Sequence, residues 1–186
     1  MTTNMPTDEV VIAATRHWLE AAVIGLNLCP FAKAVHQKRQ IGWQVSRAAT
    51  EAALADDLRT ALRRLAAASP SRLDTVLLIH PKVLQDFADY NDFLDVADAM
   101  LDEEDLAGVL QVASFHPQYR FADAPDDDVA HCTNRSPHPM LHLLREASIA
   151  RAVAAYPDAA QIYERNIARL RELGWAGWQQ LLTPPG

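Results

Sequence analysis

One short run in the middle of the chain, residues 75–80 (TVLLIH), constrains the fold more than any other feature. Its central residues are all apolar, without the alternation of polar and apolar positions that marks a strand with one solvent-exposed face. A continuous run of this length, closed here by Pro81, is typical of a β-strand that is buried on both faces. Such a strand requires a sheet with other elements packed against it, which indicates an α/β protein.

Two further segments have the pattern of strands, residues 41–46 (IGWQVS) and 108–114 (GVLQVAS). The segments around them repeat apolar residues at steps of three and four, which is the pattern of amphipathic helices. Predicted helices start near residue 8, after Thr50, at residue 87 and at about residue 139, and a last one contains Tyr163, Ile167 and Leu170. Thr50 is the expected N-cap of the second of these helices. Its inward positions are Leu54, Leu58, Leu62 and Leu65.

Strands that alternate with helices favour crossover connections and parallel pairing. The sequence therefore predicts a single helix-rich α/β domain with a small, mainly parallel sheet of about three strands flanked by helices. The domain is expected to cover residues 8–182, with a disordered tail at 1–7 and a short tail at 183–186. One long functional loop follows the third predicted strand.

That loop, within residues 114–146, concentrates the polar side chains that carry chemistry. It contains four of the seven histidines (His116, His131, His138, His142), one of the two cysteines (Cys132), three arginines (Arg120, Arg135, Arg145) and the run Asp126, Asp127 and Asp128. Long connections are usually functional or disordered, and the aromatic residues of this one argue against disorder. We therefore expect the loop to pack on the domain and to organise the functional site. Ligands of open α/β sheets bind beyond the carboxyl ends of strands, where His80 and His116 are predicted to lie.

Composition excludes several classes of function. The formal net charge of −7 disfavours binding to nucleic acid, which needs a basic surface. No stretch approaches the ~18 apolar residues of a membrane span, and the first residues do not resemble a signal peptide. Two cysteines allow at most one disulfide. These features predict a cytoplasmic protein without nucleic-acid or membrane partners.

The histidines suggest a metal site as one interpretation. His138 and His142 are four residues apart, which places two imidazoles on one face of a helix. His116 and one aspartate of residues 126–128 would complete the ligand set. The chain lacks an HExxH motif, however, and Pro139 disfavours helical geometry at His138. The alternative is a polar loop with incidental histidines and solvated aspartates, so the metal and any cofactor stay open.

Cys29 is a candidate nucleophile because it precedes Pro30, which is suited to the first position of a helix. A thiol at a helix N-terminus has a lowered pKa. The alternative is a buried cysteine beside Phe31, the common state of a free cysteine.

A candidate anion site lies near Arg135. Residues 136–139 (SPHP) indicate the start of a helix, and a helix N-terminus attracts anions through its free N–H groups and its dipole. Arg135 directly precedes this start, and Arg145 is about two turns further on. His142 lies between them and is a candidate hydrogen-bond donor or proton-transfer group near neutral pH.

Three strings of the sequence resemble a known family. VIGLNLCPFAKAV at 23–35, SFHPQYRF at 114–121 and TNRSPHPMLHLLRE at 133–146 resemble the bacterial family called domain of unknown function 1415, and the similarity extends over about 10–182. The resemblance implies a single cytosolic domain without an assigned activity. The family pattern centres on residues 29–31, 116–117, 134–135 and 142–146. The candidate catalytic residues are therefore His116, His142 and Cys29, and the candidate ligand-binding residues are Asn134, Arg135, Arg145 and Glu146.

Three functions are compatible with these features. The first is an enzyme or ligand-binding pocket for a small anionic molecule, organised by residues 114–146. The second is a metal-dependent hydrolase or oxygenase that uses His116, His142 and an aspartate. The third is a non-catalytic interaction or structural protein, for which the loop forms the partner surface.

Overall fold

The computed structural model describes residues 6–156 and 158–183, which form one α/β domain. Its helices are α1 (Asp8–Trp18), α2 (Ala32–Gln37), α3 (Glu51–Ala67), α4 (Phe87–Glu103), α5 (Glu146–Ala154) and α6 (Ile162–Leu182). Its strands are β1 (Ile41–Val45), β2 (Thr75–Ile79), β3 (Leu110–Phe115) and β4 (Met140–Arg145). A π-helical turn (Leu19–Ile24) continues α1, and short 3-10 helices cover Val129–Thr133 and Ala159–Gln161. Most of the two predicted tails, residues 1–5 and 184–186, lies outside the described residues.

The sheet is mixed, with the strand order β1-β2-β4-β3. β1 and β2 are parallel, whereas β4 is antiparallel to both of its neighbours. The first three strands thus run in one direction, and their carboxyl ends lie at the same end of the sheet as the start of β4. The prediction of an α/β domain is confirmed. The prediction of a mainly parallel sheet of about three strands is wrong, because an antiparallel fourth strand lies between β2 and β3.

The error comes from residues 140–145 (MLHLLR), which the sequence assigns to a helix over about 139–155. A short run of large apolar residues does not distinguish a buried strand from a buried helix. In the structure only α5, from Glu146 onward, is helical. β4 pairs along both edges, with β2 and with β3, so its backbone N–H and C=O groups find their partners there. The place between β2 and β3 forms only when the other strands assemble, so a local sequence pattern does not predict that residues 140–145 occupy it.

Helices cover both faces of the sheet. On one face, α3 and α4 pack over a core that includes Leu58, Leu62, Val76, Leu78, Tyr90, Leu141 and Leu143. On the other face, α1, its π-helical continuation and α6 pack over a core that includes Trp18, Leu77, Ile79, Met140, Leu170 and Trp178. β2 contributes to both cores and is fully buried, as its continuous apolar run predicts. No helix within residues 6–156 and 158–183 combines the length and the apolar character needed to cross a membrane.

The predicted start of α3 is confirmed. The Thr50 side chain accepts a hydrogen bond from the Ala53 N–H at 3.3 Å, which satisfies one of the free donors of the first turn. The four leucines predicted to face inward, Leu54, Leu58, Leu62 and Leu65, are all fully buried.

Residues 116–139 connect β3 to β4 and are covered by α6. Trp175 of α6 donates its indole N–H to the Asp127 carbonyl at 2.9 Å, and Arg171 lies 2.6 Å from the Asp128 carboxylate. Phe121 packs edge-on against Tyr163, with the ring centroids 5.9 Å apart. The loop is therefore packed on the domain, as its aromatic residues predict.

Candidate functional site

His116, a predicted catalytic residue, directly follows β3 and is completely buried. Its Nδ1 accepts a hydrogen bond from the Gln118 N–H at 3.0 Å, so Nε2 carries the proton and donates it to the Leu84 carbonyl at 3.2 Å. Burial also lowers the pKa of the imidazole. With both nitrogens engaged, His116 anchors the first turn of the loop to the segment before α4 and has no nitrogen left for a metal or a substrate.

His142, the second predicted catalytic histidine, lies in the middle of β4. Its Nε2 is 2.7 Å from the Thr75 hydroxyl, which donates its own proton to the Leu143 carbonyl at 2.6 Å. Nε2 is therefore the donor of this pair, and burial lowers the pKa of His142 to about 4. The His142 ring packs against Phe115 on the α1 side of the sheet, whereas the His116 ring packs against Tyr90 on the α4 side. The two imidazoles do not form a common site.

The other two histidines of the loop, His131 and His138, do not join His116 or His142 in a common site. His131 is buried, accepts the Phe121 N–H at Nδ1 (3.1 Å) and pairs through Nε2 with the Pro125 carbonyl (2.8 Å). His138 lies in the segment before β4, so the helical spacing of four residues that was to pair it with His142 does not occur.

The aspartates likewise do not converge on the histidines. Asp128 caps the 3-10 helix by accepting the Ala130 N–H at 2.9 Å, and it is also the partner of Arg171. Asp126 is exposed and lies 3.6 Å from Arg120. Across the described part of the chain, no three His, Cys, Asp or Glu side chains are grouped closely enough to hold a metal ion.

Cys29 does not have the environment of an activated thiol. It follows the π-helical turn and precedes α2, which begins at Ala32. Burial raises the pKa of its thiol more than the N–H groups of Phe31 and Ala32 lower it, so the thiolate is disfavoured. Burial likewise raises the pKa of Cys132 to about 12.

Arg145 binds protein carbonyls rather than facing a cleft with Arg135. Its Nη2 donates to the carbonyls of Leu65 (2.5 Å) and Ala68 (2.6 Å) at the end of α3, and Nε and Nη2 both reach the Leu73 carbonyl (3.3 and 3.2 Å). The guanidinium thus satisfies carbonyls at the negative end of the helix. Arg145 is the last residue of β4, whereas Arg135 precedes the first residue of that strand. Glu146, which follows Arg145, is the first residue of α5.

Asn134 closes the base of the loop. Its side-chain amide donates to the Ser114 carbonyl at 3.0 Å, and its own carbonyl accepts the His116 N–H at 3.2 Å. These two bonds fasten the end of the loop to the end of β3, directly before Arg135.

Arg135 is the predicted site residue that lines a cleft. Its Nε donates to the Tyr119 carbonyl at 3.1 Å, and its guanidinium lies over the Trp175 ring, 5.0 Å from the centroid. Burial lowers its pKa, so this cation is partly desolvated. The cleft beside it has a volume of about 360 Å³ and is lined by Pro117, Arg135, Ser136, Trp175, Trp178, Gln179, Leu182 and Thr183. The expected helix start at residues 136–139 is absent, and the second half of α6 provides the opposite wall instead.

A glycine in α6 directs this wall toward Arg135. Gly174 has φ 67° and ψ 174°, a conformation essentially restricted to glycine, and it breaks the helix into two halves. Trp175 and Trp178 follow the kink directly and belong to the cleft. The sequence analysis missed this half of the site. A glycine inside a helical pattern, followed at once by two tryptophans three residues apart, is the signal that points to it.

We expect Gly174→Ala to remove the cleft while the domain stays folded. Apart from its chain neighbours and the backbone of its own helix, no described residue has an atom within 4 Å of the added Cβ, so the cost of about 1–3 kcal/mol comes from the backbone conformation. The chain can relieve this cost by changing the kink, which moves the second half of α6. Gly108→Ala is the matched control, because Gly108 has a similar φ of 74° and equally open surroundings but lies before β3. Urea unfolding should show comparable destabilisation of both variants, and only Gly174→Ala should change the near-ultraviolet circular dichroism of the tryptophans. An unchanged spectrum in Gly174→Ala would contradict this role of the kink.

Comparison with curated proteins and with solved structures finds no match in either case. A family model described as "Protein of unknown function (DUF1415)" matches residues 10–180, which is nearly the whole chain and includes both walls of the cleft up to Gln179. The resemblance carried by residues 23–35, 114–121 and 133–146 is thereby confirmed, and the chain belongs to the DUF1415 family.

Proposed function

We propose that this protein binds a small anionic ligand in the cleft between residues 116–139 and α6, with Arg135 as the anion-binding group. The observation that supports this most is the state of the Arg135 side chain. Tyr119 and Trp175 fix its orientation, yet no carboxylate within the described residues pairs with its two terminal nitrogens.

The contrast with other arginines supports the proposal. Arg59 and Arg63 pair with Glu104, Arg47 pairs with Asp8 and Arg171 pairs with Asp128. Arg135 is more desolvated than these surface residues but lacks an acidic partner among the residues described. A partly buried charge without a counter-charge is unfavourable, so an incoming anion gains a full electrostatic contact there. Arginine matches carboxylate and phosphate groups with two parallel hydrogen bonds.

The same geometry favours binding over catalysis. His116, His142 and Cys29 do not line the cleft, and the Ser136 hydroxyl donates to the His138 carbonyl at 2.7 Å. The cleft therefore provides an anion-binding group and apolar walls, and none of the predicted catalytic residues belongs to it.

A second cleft of about 410 Å³ also contains arginines, Arg64 and Arg72, but it is less suited to an anion. It lies at the carboxyl end of α3, where the helix dipole is negative. Both of its arginines are exposed.

The test is a calorimetric and thermal-shift titration with phosphate, sulfate and succinate on wild type, Arg135→Gln and Arg64→Gln. Saturating anion should stabilise the wild type, by about 2.7 kcal/mol at one hundred times Kd. Arg135→Gln should weaken binding by about 10- to 100-fold, the effect of losing charge-assisted hydrogen bonds. Arg64→Gln should bind like the wild type. Equal loss in both variants, or binding unaffected by Arg135→Gln, would refute the proposed site.

A further inference from the structure

We infer that the ligand of this cleft is a monocarboxylate with an apolar body of roughly four to eight carbons, an inference that rests on the anion site proposed above. The cleft combines one cation with walls that are mostly apolar. The number of charges, the surface of the walls and the volume each restrict the ligand in a different way.

The charges restrict the ligand to one negative group. Arg135 is the cationic residue among the described residues that line the cleft. The neighbouring acids belong to the loop, where the Asp127 carbonyl holds the Trp175 indole and Asp128 already neutralises Arg171. Arg120 is a further cation near Arg135, but it already pairs with Asp126 at 3.6 Å. A second negative charge on the ligand would therefore have to compete with Asp126 for its partner. The net charge of −7 also repels a doubly charged ligand at longer range.

The walls favour an apolar body. Pro117 borders the cleft on the loop side, and Trp175, Trp178 and Leu182 border it on the α6 side. The indole N–H of Trp175 is already donated to Asp127, so its ring offers only an apolar surface. Apolar surface removed from water is the main source of affinity in such a site.

The volume restricts the size. About 360 Å³ is at the lower end of the range of small-molecule sites. A carboxylate held by the two terminal nitrogens of Arg135 leaves room for a short alkyl chain or one aromatic ring against the two tryptophans. Nucleotides are too large and too highly charged for this combination of one cation and a small apolar cleft, and small dianions such as succinate should bind more weakly than a monocarboxylate.

Isothermal titration of the full chain with acetate, butyrate, hexanoate, octanoate and benzoate tests the inference. Affinity should rise about two- to fourfold for each methylene that enters the cleft. Adipate, which has the length of hexanoate and a second carboxylate, should bind at least tenfold more weakly than hexanoate. Arg135→Gln should weaken every carboxylate at least tenfold. Leu182→Ala should weaken the binding of the longer chains more than it weakens the binding of acetate.

The outcomes separate this inference from the proposed function. If phosphate or succinate binds in a manner that depends on Arg135, but hexanoate binds no better than acetate, the apolar body is wrong and the anion site stands. If hexanoate binds equally well to wild type and Arg135→Gln, the carboxylate is not held by Arg135 and the inference fails. If none of these anions binds, the inference fails together with the proposed function.

Discussion

Between pH 7 and pH 4 the protein is expected to lose roughly 5–6 kcal/mol of its free energy of unfolding, through two buried histidines. Burial lowers the pKa of both His80 and His142 from 6.5 to about 4. Each shift corresponds to about 3 kcal/mol of differential stability at pH 4. Domains of this size are commonly stable by only about 5–15 kcal/mol, so the effect takes the protein close to unfolding.

The sign follows from which state binds more protons. The unfolded chain gains a proton on each histidine near pH 6.5, whereas the folded protein gains it only near pH 4. Falling pH therefore favours the unfolded state across this interval. The contribution is fully present above about pH 6.5, declines as the pH falls below that value, and is almost completely lost at about pH 4. His80 is completely buried, and no described residue pairs with its Nε2, so a proton added there would have no hydrogen-bond acceptor among the residues described. His142 keeps some exposed surface.

Urea unfolding at intervals of half a pH unit measures this effect. His80→Asn retains a donor for the Val83 carbonyl, and His142→Gln retains a donor for the Thr75 hydroxyl. Each variant should remove about 3 kcal/mol of the pH-dependent loss, whatever its stability at pH 7. His36→Gln, at a histidine paired with Glu20 on the surface, is the control and should keep the steep loss.

The pH interval of the loss distinguishes the contribution of these histidines to stability from that of the acidic groups. Arg171 lowers the pKa of Asp128 from 3.8, and Arg63 and Arg59 lower the pKa of Glu104 from 4.5, so both carboxylates affect stability only at lower pH. A loss of stability that begins below pH 4.5, or one that is as large in the double variant of His80 and His142 as in the wild type, would contradict the prediction. A smaller loss is expected to remain in the double variant, because burial also lowers the pKa of His116 and His138.

Replacing Arg145 by methionine is expected to destabilise the protein by about 3–5 kcal/mol. The variant retains similar volume but removes the guanidinium donors of the Ala68 and Leu73 carbonyls, and it leaves the Leu65 carbonyl with only the Ala68 N–H as donor. A hydrogen bond from a charged donor such as this guanidinium contributes about 1.5–3 kcal/mol. Arg145→Lys keeps the charge, but a single ammonium does not reproduce the planar fork of the guanidinium, so it should recover only part of the loss.

Chemical denaturation of Arg145→Met, Arg145→Lys and Arg72→Met tests this role. Arg72 is exposed and lies beside Leu73 in the chain, and its replacement should change stability by no more than about 0.5 kcal/mol. Anion binding in the cleft of Arg135 should be unchanged in all three variants under conditions where they are folded. A small effect of Arg145→Met, comparable to that of Arg72→Met, would show that the buried carbonyls do not depend on the guanidinium.

The candidate site was only partly predictable from its residues. Arg135 was singled out because arginine matches anions, and the structure places it at a cleft. The reason given for an anion there, a helix that starts at residues 136–139, is wrong, since this segment leads into β4. His116 and Asn134 are better explained as anchors of the loop, because their polar atoms contact Leu84, Gln118 and Ser114. A list of reactive residue types does not distinguish side chains that face a cleft from side chains that hold a loop in place.

The sequence by itself determined the elements in which buried residues recur at the spacing of a strand or a helix. The apolar run of β2 and the leucines of α3 specify buried surfaces by themselves, because side-chain direction follows directly from the period of a strand or helix. The tertiary structure alone decided the insertion of β4 between β2 and β3, the partners of Arg145 some 72 to 80 residues away, and the stacking of Arg135 on Trp175. Each of these depends on surfaces that come together only when the layers assemble. The backbone groups of β4 and the guanidinium of Arg145 bind partners that are distant in the sequence. The residues around them therefore do not predict these partners.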